Sequence, residues 1–133
     1  MRENLLRILI ADDNEAVRNS VSAILQPRGD IEVCGEACNG KEAIAKARLL
    51  KPDLIILDLS LPDLSGWDVA KTIRETLPAV PILLLTAHGG RLMIEEIRRR
   101  GLQGYVSKSE ADTTLLAAID AILHLKQGFF PTN

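Results

Sequence analysis

The chain has 133 residues, of which 47% are hydrophobic, 26% charged and only 3% aromatic, with a formal net charge of −2. That length suits one domain with a core of Leu, Ile, Val and Ala, and the mild acidity lacks the basic footprint that direct nucleic-acid binding leaves. No run of 18 or more apolar residues is present to span a membrane.

The opening residues Met1-Arg2-Glu3-Asn4 lack the charged-then-apolar layout of a signal peptide, so the expected compartment is the cytoplasm. Arg7-Ile8-Leu9-Ile10-Ala11 reads as a first strand. Between Asn14 and Gln26, Val17, Val21, Ile24 and Leu25 share one helical face, and Pro27 and Gly29 end that helix. Ile31-Glu32-Val33-Cys34 alternates apolar and polar, as an edge strand exposed on one side would. Gly40 to Leu50 is a helix with Ile44, Ala47 and Leu50 inward, broken by Lys51-Pro52. Cys34 and Cys38 have no second Cys or His pair to complete a zinc site and are expected to be reduced thiols.

Leu54-Ile55-Ile56-Leu57 and Pro81-Ile82-Leu83-Leu84-Leu85 are apolar throughout, the pattern of strands buried on both faces of a parallel sheet. Between them, Gly66 to Leu77 is a helix burying Val69, Ala70, Ile73 and Leu77. Gly90 to Arg100 is a further helix with Gly101 placed to cap its end. Gln103 to Val106 is a short last strand, and Asp112 to Lys126 a last helix burying Leu115, Ile119 and Ile122. Five strand–helix units in succession predict an α/β fold with a five-stranded parallel sheet. The flavodoxin-like order 2-1-3-4-5 puts the fully apolar strands in the middle and the alternating one at an edge.

In such sheets ligands bind beyond the carboxyl ends of the strands. Asp12 and Asp13 follow the first strand, Asp58 the third, Thr86-Ala87 the fourth and Ser107-Lys108 the fifth. Taken singly, each has a plainer role: an Asp at a strand end is more often a cap or turn residue, and a lone Lys a solvated charge. Together they are three carboxylates, a hydroxyl and an ammonium at one edge. Clustered carboxylates repel one another unless a cation joins them, and an all-oxygen set selects Mg²⁺, Mn²⁺ or Ca²⁺. Asp58 can act as nucleophile in phosphoryl transfer, with metal, Lys108 and Thr86 neutralising the phosphoryl oxygens.

Four blocks resemble the receiver domains of bacterial two-component response regulators: Ile8-Leu9-Ile10-Ala11-Asp12-Asp13, Leu57-Asp58-Leu59-Ser60-Leu61-Pro62-Asp63-Leu64-Ser65-Gly66, Leu85-Thr86-Ala87 and Gly104-Tyr105-Val106-Ser107-Lys108. The resemblance spans essentially the whole chain. It implies that Asp58 is the phosphoacceptor and that Asp12, Asp13, Asp58 and the Ser60 backbone carbonyl hold Mg²⁺, for which Mn²⁺ can substitute. It further implies that Thr86 and Ala87 meet the phosphoryl group, that Tyr105 swings inward behind Thr86, and that Lys108 pairs with phosphate. His88 falls where receivers look onto the phosphoryl site, and either it is a loop residue at a helix start or, with the Ser60 side chain, it is expected to tune the lifetime of the acyl phosphate. Ser109 stands where many receivers have a cis proline, and a cis bond before Ser costs about 3 kcal/mol, which leaves that bond's geometry open.

The implied partners are a sensor histidine kinase or phosphotransfer protein, and a second copy of the chain through the fourth helix, last strand and last helix. DNA would be reached only through a separate output domain. Arg98-Arg99-Arg100 is either part of such a contact or a complement to the helix dipole. Residues 5–126 are expected to form the receiver, and residues 127–133 to begin a linker to a helix-turn-helix domain, for which Phe129 and Phe130 would be packing residues. A stand-alone receiver acting by protein–protein contact is the alternative. No enzymatic activity is expected beyond phosphorylation and dephosphorylation of Asp58. An aspartate-nucleophile phosphatase of the haloacid dehalogenase type would want an acid where Ser60 stands. A flavodoxin-like flavin carrier would want a phosphate-binding loop where Asp12-Asp13 stands.

Overall fold

In the computed structural model, which describes residues 5–87 and 89–126, five strand–helix units follow one another. They are β1 (Leu6–Ala11) with α1 (Glu15–Leu25), β2 (Ile31–Ala37) with α2 (Gly40–Leu50), and β3 (Leu54–Asp58) with α3 (Gly66–Thr76). Then come β4 (Ile82–Thr86) with α4 (Arg91–Arg99) and β5 (Gly104–Ser107) with α5 (Ala111–Lys126), the last two joined by a 3-10 turn at Lys108–Glu110. The strands form one parallel sheet in the order β2-β1-β3-β4-β5, as predicted. No peptide bond among the described residues is cis, so Lys108-Ser109 is trans.

Every residue of β3 and β4 is buried. Alternate residues face opposite sides of the sheet. Leu9, Ile55, Leu57, Ile82 and Leu84 pack with Ala43, Ala47, Val69, Ile73 and Ile97 from α2, α3 and α4. Ile8, Ile10, Leu54, Ile56, Leu83 and Leu85 pack with Val21 and Leu25 of α1 and Leu115, Ile119 and Ile122 of α5. Each such Leu or Ile contributes about 1.5–3 kcal/mol by leaving water, which is what holds the strand ends in place.

β2 runs three residues beyond its alternating stretch. Its register against β1 slips between Ile8 and Leu9, so that Leu9 faces Gly35 and Cys34 is the extra residue of a bulge. The bulge interrupts the period of two, so the sequence pattern stops at Cys34 while pairing continues to Ala37. Both cysteines are free thiols, Cys34 half-buried and Cys38 exposed.

The helix ends follow their sequence signals. Asn14, Asn39 and Ser65 cap α1, α2 and α3 through their side chains. Gly101, at φ 70°, closes α4 in the left-handed conformation that glycine adopts without strain. Arg99 and Arg100 both pair with Glu96 one turn earlier, and the Arg100 guanidinium also lies 4.7 Å from the centre of the Trp67 ring.

Candidate functional site

Because the strands are parallel, their carboxyl ends share one edge. The Asp12 amide still donates to the Ala37 carbonyl of β2 at 3.0 Å, so this carboxylate begins inside the sheet and is fully buried. Its Oδ1 accepts the Asn14 amide at 2.9 Å, while Asn14 Oδ1 accepts the amides of Ala16 and Val17 at 2.8 and 3.2 Å and starts α1. Asp13, one residue on, is exposed. Asp58 ends β3 and is 2% exposed; its Oδ1 accepts the Ser60 amide at 3.1 Å. The loop after it folds back through a Ser60–Ser65 bridge and a 2.9 Å bond from the Gly66 amide to the Leu59 carbonyl. A Cβ at Gly66 would stand 2.6 Å from the Asp58 carbonyl oxygen, so only glycine lets α3 start this close to the strand end. Asp63, in the same loop, accepts the Gly40 and Lys41 amides at 2.7 and 3.0 Å and ties the loop to the start of α2.

Carboxylate oxygens of Asp12, Asp13 and Asp58 lie within 4.8 Å of one another. Lys108 reaches in from the far side, its Nζ 3.0 Å from Asp12 Oδ2 and 3.4 Å from Asp58 Oδ2. Burial pushes the Asp58 carboxyl above the usual range, and the Asp12 charge adds to this. The Ser60 amide and Lys108 pull the other way without prevailing. For Lys108, burial works against the charged form, but the close ion pair with Asp12 and the charge of Asp58 outweigh it and hold its pKa above the usual lysine value.

Asp12 Oδ2 and Asp58 Oδ2 are buried yet accept no well-aligned hydrogen bond among the described residues. The 3.0 Å contact of Asp12 Oδ2 with Lys108 is an ion pair of poor hydrogen-bond geometry. Two such oxygens beside an exposed third carboxylate form an oxygen-only donor set suited to a small hard dication with water and phosphate completing its shell. The residues present therefore fit Mg²⁺.

The structure brings Asp12, Asp13, Asp58, Thr86 and Lys108 to the same edge, as the sequence predicts. Thr86 is buried at the end of β4, in register with Ser107, and Ala87 beside it is exposed. Ser60 is also exposed. Tyr105 is half-buried and its hydroxyl accepts the Gly90 amide at 3.1 Å, where α4 begins without a side-chain cap. His88, Phe129 and Phe130 lie outside the described residues. Two contributors were not singled out from the sequence. Asn14 gave a signal, since a capping residue directly after an acidic pair holds the turn. Arg18 gave none, because its contact with the Asp12 carbonyl depends on how α1 lies against β2.

The match to known proteins is extensive. Residues 8–120 fit the family model of the response regulator receiver domain. The chain belongs to that family. Over 114 residues, 86% of the receiver chain, it is 37% identical to the response regulator protein VraR of Staphylococcus aureus, of which this stretch covers 54%. The receiver thus spans about half the length of the curated relatives it matches. A two-component response regulator of the LuxR family from Aurantimonas sp. SI85-9A1 superposes with a TM-score of 0.82 at 30% identity, over 96% of this chain and 89% of that one. The isolated REC domain of RcsB from Salmonella enterica serovar Typhimurium, solved with phosphomimetic BeF₃⁻, gives a TM-score of 0.81 at 25% identity, over 98% and 94% of the two chains.

Proposed function

We propose that this receiver is a phosphorylation switch in which Asp58 accepts a phosphoryl group from the phosphohistidine of a partner kinase. The observation that carries the reading is the pair of buried, poorly bonded oxygens of Asp12 and Asp58 facing one ammonium. A carboxylate oxygen of Asp58 attacks phosphorus in line, the P–N bond to the donor imidazole breaks, and a mixed acyl phosphate forms. Lys108 neutralises charge on the transferred group and Thr86 supplies a hydroxyl to a second oxygen. Asp12, Asp13, Asp58 and the Ser60 carbonyl would hold Mg²⁺, which would supply further charge neutralisation to the transferred group. Mn²⁺ has the same ligand preference.

The phosphoryl group adds charge and acceptor oxygens at this edge. Thr86 turns toward it, and Tyr105 gives up its contact at the start of α4 to fill the space. The output surface is α4, β5 and α5, and it passes the signal to a partner or to a second copy. The LuxR-family neighbour and the partial coverage of VraR support a transcription-regulator output through a domain beyond this segment. Ser60 and His88 set the lifetime of the acyl phosphate. The test is intact-protein mass after incubation with acetyl phosphate, with and without Mg²⁺. A metal-dependent gain of one phosphoryl mass in the wild type and none in Asp58→Asn is expected. An equal gain in the variant would sink the assignment.

A further inference from the structure

Arg18 touches the acidic turn, and the proposed chemistry leaves it without a part. It lies on α1, and its side chain is only 15% exposed. Its Nη1 donates to the Asp12 backbone carbonyl at 2.6 Å, and its Nε donates to Glu36 Oε1 of β2 at 2.8 Å. Glu36 precedes Ala37, the residue whose carbonyl takes the Asp12 amide. One planar guanidinium therefore spans from the edge strand to the peptide joining Asp12 and Asp13.

We propose that Arg18 is a positioning residue for the divalent-metal site, fixing the Asp12–Asp13 peptide so that both carboxylates face the third. The inference rests on the reading of this edge as a metal and phosphoryl site. The bonds of its amide to Ala37 and its carbonyl to Arg18 hold the main chain of Asp12, and the Oδ1 bond to Asn14 holds its side chain. Asp13 is exposed and has no such ties among the described residues, so its direction is inherited from that peptide plane. A fork with two fixed donors can bridge a carboxylate and a carbonyl at once, which the single ammonium of lysine at the end of a flexible stem cannot do with the same geometry. Glu36 in turn aims the guanidinium.

Charge and positioning make opposite predictions. A cation close to an acidic cluster repels Mg²⁺, so if Arg18 acted by charge alone its removal would tighten metal binding and Arg18→Lys would change nothing. If it positions, both Arg18→Met and Arg18→Lys weaken binding. Glu36→Gln weakens it too, but loss of that negative charge has the same sign by itself, so the Arg18 variants decide between the two. Partners behind metal ligands are typically worth about 10–100-fold in affinity, and about tenfold is expected here.

The experiment is calorimetric titration of Mg²⁺ into the full chain for wild type, Arg18→Met, Arg18→Lys and Glu36→Gln, with melting in EDTA to establish folding. Should Arg18→Met fail to fold, Arg18→Lys carries the test, since it keeps the charge and removes the fork. Weaker binding in the folded variants, with acetyl phosphate labelling recovered at saturating Mg²⁺, supports the proposal. Unchanged affinity in Arg18→Lys, or tighter binding in Arg18→Met, overturns it. A wild type that neither binds Mg²⁺ nor takes a phosphoryl group would instead overturn the underlying reading of the site.

Discussion

Replacing Asp58 with Asn should make the metal-free protein more stable. Asp58 is buried, with Asp12 and Asp13 carboxylate oxygens no more than 4.8 Å away. At an effective dielectric constant of about 20, each repulsion at that distance costs about 3.5 kcal/mol, and the attraction to Lys108 at 3.4 Å returns about 5 kcal/mol. The burial penalty, together with repulsion from Asp12, thus outweighs the Ser60 amide bond and the attraction to Lys108, in keeping with the raised pKa of Asp58. Solvent screening of exposed Asp13 reduces the difference, leaving a gain on the order of 1 kcal/mol for the neutral isostere. That is a rise of about 3–6 °C in melting temperature. The pH dependence has a definite sign. A carboxyl whose native pKa lies above its unfolded value binds its proton more tightly when folded, so the wild type gains stability as pH falls through the native Asp58 pKa. Asp58→Asn lacks that gain. The assay is thermal melting in EDTA across pH for both proteins. A variant less stable than wild type at neutral pH would refute the electrostatic argument.

Three further outcomes follow from contacts described above. Lys108→Met leaves Asp12 and Asp58 without their ammonium. It should lower stability in EDTA by on the order of 1–3 kcal/mol, less than a fully buried pair because the lysine is partly wet. By calorimetry it should also bind Mg²⁺ more tightly, while acetyl phosphate labelling is lost. Gly66→Ala forces a methyl against the Asp58 carbonyl and should cost about 1–3 kcal/mol in denaturant unfolding. Asp63 is held below the usual carboxylate range, chiefly by the Gly40 amide. Its contribution is therefore full above the unfolded Asp pKa and lost as pH falls through the native one, and the acid limb of a melting-temperature profile should flatten in Asp63→Asn.

The fold was legible because β3 and β4 are unbroken apolar runs that admit no exposed face, and because the helices keep their apolar residues on one side. Asp12, Asp13, Asp58, Thr86 and Lys108 were legible because a parallel sheet gathers whatever follows its strands. What escaped is set by tertiary packing. The last three residues of β2 lie beyond a bulge that breaks the period of two, and the turn at Lys108–Glu110 carries no pattern of its own. Arg18 and Asp63 act across 18 and 22–23 residues of sequence, to Glu36 and to Gly40 and Lys41, and no local spacing encodes those meetings.

The alternation along the central strands divides responsibility within the molecule. Ile55 and Leu57 answer to α2, α3 and α4, whereas Leu54 and Ile56 answer to α1 and α5. The side chains that end the strands, Asp12 and Asp58, belong to neither layer. A lineage could redraw the helices on one side to suit a new partner, repacking one layer as it did so. The opposite layer would go on holding the same strand ends at the same spacing, so the shape presented to partners and the chemistry at the sheet edge are free to diverge at different speeds.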